Sequence, residues 1–277
     1  MSSPTCLNCA ATLDQPVNFC SHCGQPSNTH RLTIRHFIHE SFHAVTHADK
    51  GIFHLLAGLA TKPGTVAREY IAGRRKAYFN PFTFFLIVMG VFVLSNNYFT
   101  ATPKPFKPDE KVLARIPTRQ GQERYLTMSR RGAEVSAFTH KHGNVIAMFA
   151  VPFFALLSWL FYRRKGYNYA EHLTANLLFV TFSNIAFIII VYPLQGLNRS
   201  NSSMGMFALA LGFILQILYL TWCYSRFLPL NGRRVNPLGA FVLSISGVCL
   251  WILLTMTVTA LYIYRSPAFL NFFTRMF

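Results

Sequence analysis

Four cysteines near the N-terminus are the residues of this chain best equipped for chemistry. They stand as Cys6-x-x-Cys9 and Cys20-x-x-Cys23, two close pairs joined by a short loop. Paired thiolates at this spacing suit a tetrahedral metal ion, each pair spanning one edge of it. Gly24 follows the last cysteine, where a tight turn around the sulfurs calls for a residue without Cβ. The competing readings are two disulfides or four idle thiols. The segment is too short and polar to build a core, and Pro4, Pro16 and Pro26 break it. A metal staple therefore explains its folding better. The expectation is one structural Zn²⁺ with sulfur at all four positions.

A second constellation lies at His39-Glu40-Ser41-Phe42-His43. This HExxH spacing puts two imidazoles on one helical face with a glutamate placed to activate a zinc-bound water. His47 or Glu69 would have to supply a third ligand. The stretch is rich in histidine, so the match arises easily by composition, and the segment leaves little room for a catalytic cleft. On a helix from about Leu32 to His47, His36, His39, His43 and His47 share one face, and His54 joins them if the helix continues. Ile34, Phe37, Ile38, Phe42 and Val45 fall opposite. That pattern fits a helix lying in the membrane interface with its imidazoles toward water. A second metal site at His39, Glu40, His43 and His47 is the alternative, and a membrane-anchored metalloprotease follows from it. Nucleophile-elbow, P-loop and dinucleotide-binding signatures are absent.

A third group is basic: Arg68, Arg74, Arg75 and Lys76, with Tyr78 close behind. These suit a membrane-surface collar, the cations facing anionic headgroups while Tyr78 and Phe79 sit at headgroup depth. Arg68 and Glu69 pairing within the protein is the other reading.

The elements that must position these groups are membrane helices. Of the 277 residues 52% are apolar, and every Asp, Glu, Lys and Arg falls outside five long stretches. These are Pro81–Phe99, Val145–Tyr162, Leu173–Leu194, Met204–Tyr224 and Leu238–Tyr264. Each matches the roughly 17–25 residues that cross a bilayer core. The fold class is all-α: a polytopic membrane protein of about five spans with a small N-terminal zinc ribbon. Residues 1–28 form the ribbon and 29–80 amphipathic juxtamembrane helices on the cytoplasmic side. Residues 81–277 form the five-span domain, with an external loop at 100–144. Lys62-Pro63-Gly64 reads as a turn, and Asn80-Pro81 as the cap and first residue of span one. Pro103, Pro105, Pro108 and Pro117 make the loop look mostly extended, with a short helix near Gln120–Ala137. Asn176, Asn184 and Gln216 read as interhelical hydrogen-bonding residues.

Short flanks set the orientation. Arg68, Arg74, Arg75 and Lys76 precede span one, Arg163, Arg164 and Lys165 link spans two and three, and Arg226, Arg233 and Arg234 link four and five. They place the N-terminus in the cytoplasm and the C-terminus outside. The nine Lys/Arg of Thr100–Asn144 oppose this. A reducing compartment favours zinc over disulfides. The net charge of +17 suggests nucleic acid, but residues 1–30 contain no Lys or Arg, so the ribbon is not the basic part. The positive charge sits beside the spans instead. Ionisable groups are missing from the span interiors, which removes the usual mark of a proton-coupled transporter.

The run Pro63-Gly64-Thr65-Val66-Ala67-Arg68-Glu69-Tyr70-Ile71-Ala72-Gly73-Arg74-Arg75-Lys76-Ala77-Tyr78-Phe79-Asn80-Pro81-Phe82, with Asp49-Lys50-Gly51 and the CxxC…FCxxCGQ ribbon, carries a resemblance. It resembles an uncharacterised bacterial family, a domain of unknown function that joins a zinc ribbon to several spans. The resemblance covers residues 6–85. It implies a cytoplasmic ribbon on an inner-membrane protein and attaches no activity to it; HExxH is not part of the family pattern. The expected function is a binding, scaffold or regulatory component that meets the bilayer, its anionic headgroups and another protein through the ribbon. The metalloprotease and a passive transporter or channel are the alternatives.

Overall fold

The computed structural model describes residues 5–13, 17–27, 29, 31–34, 51–100, 103, 106–197, 202–227 and 236–264. Among these, the five expected spans are all helices. α3 (Pro81–Phe99), α5 (Arg119–Tyr162), α6 (Tyr169–Leu197), α7 (Ser202–Phe227) and α8 (Pro237–Tyr264) are each long and apolar enough to cross a membrane. Before them come α1 (Ile52–Thr61) and α2 (Pro63–Ile71), and α4 (Glu110–Ala114) precedes α5. No strand occurs among the described residues; the ribbon has two isolated bridges, Thr5 with Thr12 and Phe19 with Pro26.

α6 is the centre of the bundle. Its most apolar window is 50% buried against 22–33% for the other four spans, and it packs on α3, α5 and α7. Asn168 starts it with a capping box: its side chain accepts from Glu171 N at 3.0 Å, and Glu171 Oε2 accepts from Asn168 N at 2.7 Å. Near the other end the turn widens to a π-helix at Phe187–Val191. Pro193 lies two residues on, cannot donate to the turn before it, and its ring would collide there.

Apolar packing alone would let spans slide past one another, because lipid is as oily as the core. A buried polar chain pins three of them. Asn176 Nδ2 donates to Ser158 Oγ of α5 at 2.9 Å, and Tyr224 of α7 donates to Asn176 Oδ1. Ser158 Oγ also lies 3.0 Å from His172 Nδ1. The interhelical role expected of Asn176 holds, and His172, Ser158 and Tyr224 extend it. Asn184 Nδ2 is buried and makes no such bond among the described residues.

Two expectations are corrected. The 100–144 segment is more helical than its prolines suggested. Thr118 caps the helix, with Oγ1 accepting from Gly121 N at 3.2 Å, and α5 runs from Arg119 into the second span with a kink at His142. No proline intervenes before Pro152, and Arg119–Glu123 and Arg130–Glu134 pair one turn apart. Pro63-Gly64 is also inside a helix and not the turn itself. The bend falls at Lys62, Pro63 opens α2, and a Cβ on Gly64 would lie 2.4 Å from the Arg226 carbonyl carbon of α7. Gly64 is there so that α2 can touch the α7 backbone. Asn80 caps α3 as expected, accepting from Phe82 N and Thr83 N.

Candidate metal centre and its socket on the membrane bundle

The ribbon is two copies of one turn. In the first, Cys6 N donates to Ala11 O and Ala10 N to Cys6 O, both at 2.9 Å. In the second, Cys20 N donates to Gln25 O and Gly24 N to Cys20 O, both at 2.8 Å. Each turn needs a left-handed residue after its second cysteine: Ala10 has φ +60° and Gly24 φ +71°. The expected role of Gly24 is met, and Ala10 adopts the same conformation at a steric cost.

These turns bring the sulfurs of Cys6, Cys9, Cys20 and Cys23 within 4.8 Å of one another. Cys6 and Cys23 are 3.6 Å apart, Cys9 and Cys20 3.7 Å. A disulfide needs about 2.05 Å, so neither pair is bonded. A tetrahedron with metal–sulfur bonds of about 2.3 Å has edges near 3.8 Å, and the set fits that shape. Two of the thiols are shifted, in opposite directions. The Asn8 side chain, then its neighbours, bring the Cys23 thiol down to about 6. For Cys9 the backbone bond to Ala11 acts to lower the pKa, but burial and the adjacent sulfurs together outweigh it and raise the thiol to about 12.

The ribbon is plugged into the membrane domain. Gln25 is 1% exposed, and both ends of its amide are used: Nε2 donates to Gly73 O at 2.6 Å, and Oε1 accepts from Lys76 N at 2.9 Å. Gly73 has φ +108°, and a Cβ there would stand 2.8 Å from Thr29 Oγ1 and 3.0 Å from Leu7 Cδ1. The turn after α2 is therefore a socket shaped for the residue after Cys23-Gly24. Residues 31–34 strap the ribbon further. Leu32 is 1% exposed within the main core, and its carbonyl accepts from Asn168 Nδ2 at 2.9 Å. Arg31 grips Glu171 with two bonds, Nε to Oε1 at 2.7 Å and Nη2 to Oε2 at 2.8 Å. That bond raises the Arg31 pKa.

Among the collar residues, Arg74 and Lys76 are exposed and Arg68 and Arg75 half-buried. Glu69 accepts from Arg74 Nη1 at 3.0 Å and from Tyr78 Oη at 2.7 Å, so its partner is not Arg68, which reaches Thr65 at 3.4 Å. Tyr78 and Phe79 are 7% and 3% exposed, packed inward and not at a lipid-facing surface, and His54 stacks on Tyr78 at 5.4 Å. Burial first, then Glu69, pushes the Tyr78 phenol up to about 12. His39, Glu40, His43 and His47 lie outside the described residues, as does most of the expected Leu32–His47 helix.

Sequence reading missed Gln25, Arg31, Asn168 and Glu171. Asn168-x-x-Glu171 was visible as a capping signature. Nothing in the sequence linked Arg31 to a residue 140 positions away.

Fold and site together define a multi-pass helical membrane protein with a four-cysteine cluster able to hold a metal ion. Residues 49–93 match a family described as Protein of unknown function (DUF3667). No curated protein and no solved structure matches the chain. The matched stretch contains α1, α2, the Gly73 socket and the start of α3, and it stops short of the ribbon that fills the socket.

Proposed function

We propose that the protein is an inner-membrane scaffold whose Zn²⁺-bound ribbon is a structural cap on the cytoplasmic end of the bundle, presenting a surface to another protein. The Gln25 plug carries this reading: a ribbon buried into the membrane domain through its metal turn serves to fix that face. A shell closed by four sulfurs leaves no position for a reacting water, so the zinc would hold and not catalyse. Orientation rests on the basic flanks. The 163–165 turn and Arg226 gather at the ribbon's end of the bundle, through Tyr167 beside Arg31 and Arg226 against Gly64. Val17 and Phe19, 40% and 63% exposed, are the groups a protein partner would cover.

Binding is tested by replacing Phe19 with a photoreactive amino acid in cells. A discrete protein adduct that disappears with Cys6→Ser and Cys20→Ser supports the reading. Adduct formation unaffected by ribbon loss, or none at any ribbon position, counts against it.

A further inference from the structure

Along the seam between α5 and α8, in the half of the bundle away from the ribbon, lies a cavity of about 740 Å³. Phe149 and Phe153 wall it from α5, and Trp251, Leu254 and Val258 from α8. Phe149, Leu254 and Val258 are 65%, 44% and 58% exposed, so the cavity opens sideways from the bundle, toward hydrocarbon in a bilayer. Its volume is that of a ligand pocket, roughly 300–1,000 Å³. A flat helix surface would offer passing lipid no such recess.

At the end farther from the ribbon the lining turns polar. Tyr262 Oη donates to Glu134 Oε2 at 3.3 Å, and Arg130 pairs with Glu134 at 3.5 Å. Directly beyond, a second cavity of about 360 Å³ has Arg124 and Arg131 in its wall, with Glu123 beside them. Arg131 Nη1 donates to Ile263 O at 2.9 Å, which ties the two helices together at this point. From Arg119 to Lys141, α5 carries five basic side chains against two acidic ones. Both acids are paired, Glu123 with Arg119 at 3.6 Å and Glu134 with Arg130. The polar end therefore has an excess of positive charge next to a long apolar recess.

We propose that this seam is a binding site for one anionic phospholipid, its acyl chain in the larger cavity and its phosphate headgroup at Arg124 and Arg131. The two cavities lie end to end in the order of an amphiphile, and the charge at the mouth complements a phosphate. Such a lipid would brace the kinked half of α5 against α8.

The test uses the full chain in nanodiscs of phosphatidylcholine containing either of two probes, a phosphatidylglycerol or a phosphatidylcholine. Each carries a diazirine at the end of one acyl chain. The expected result is adducts of the phosphatidylglycerol probe concentrated several-fold on Phe149, Trp251 and Leu254 over the lipid-facing Leu94 and Leu218. Val258→Trp, which fills the recess, brings them down to the Leu94 level. Arg124→Gln with Arg131→Gln reduces them to the level of the phosphatidylcholine probe. Even labelling across all lipid-facing helices marks ordinary surrounding lipid and overturns the proposal. So does equal labelling by both probes on the unaltered protein, a comparison that needs no variant to fold. Adducts missing from the recess while a photoreactive leucine analogue at position 254 crosslinks to residues 265–277 would make that segment the occupant, and also overturn it.

Discussion

At the scale of single residues, Gln25 is the contact that turns a metal turn into a docked cap. Its two bonds need a donor and an acceptor on one planar group, which a side-chain amide supplies without charge. Gln25→Glu keeps the size but cannot donate to Gly73 O. It should leave metal content unchanged while amide exchange at residues 73–76 speeds up, the orphaned groups costing about 1–3 kcal/mol each. Equal loss of metal and docking would mean that Gln25 serves the ribbon's own folding. Tyr78 gives a pH test. Its folded pKa is raised from 10.0 to about 12, so the neutral phenol contributes stability that is complete below pH 10 and is lost as pH climbs through 12. Tyr78→Phe should therefore show a smaller decline in thermal stability over that window than the unaltered protein. An identical alkaline decline in both would remove the Glu69–Tyr78 bond from the account.

At the scale of elements, what was legible followed from local rules. Five spans appear in the composition because a bilayer demands long runs without charge, and Asn80-Pro81 marks the start of α3 because caps are local chemistry. Asn80→Ala should cost about 1 kcal/mol, measured by unfolding in detergent. The four cysteines were legible for the same reason, since the spacing within each pair is the geometry of one turn. Elements whose conformation depends on distant partners were not. Prolines at 103–117 suggested a loop through 144, yet α5 forms and leans on α8 through Arg131 and Ile263. Pro63-Gly64 looked like a bend because the Arg226 backbone that makes Gly64 necessary is far along the chain. Tyr78 looked interfacial by position, whereas Glu69 and His54 hold it inside. The central element also makes a prediction. Asn176→Leu keeps the branched outline of the side chain but removes the Tyr224 Oη bond to Asn176 Oδ1 and weakens the α5–α6–α7 chain. A loss of about 1–2 kcal/mol in detergent unfolding is expected. No change would mean that apolar packing alone fixes the register of these spans.

At the scale of the whole molecule, the ribbon, the α2 socket and the Arg163–Lys165 turn share one end of the bundle, and the N-terminal half of α5 lies at the other. Single cysteines at Ser129 and Ser200 should label from outside intact cells, and one at Gly166 should not. The opposite pattern would show that the basic residues of 100–144 outweigh the three short flanks. Acidification should release the metal as thiolates take protons, and the socket should open with it. The central claim, that four sulfurs hold one zinc in a closed shell, is tested most directly by zinc-edge X-ray absorption on the purified full chain. The account predicts one zinc per chain with four sulfur neighbours at about 2.3 Å and no nitrogen or oxygen in the shell. Mixed nitrogen and sulfur ligands, or a chain with intact cysteines and no zinc, would contradict it.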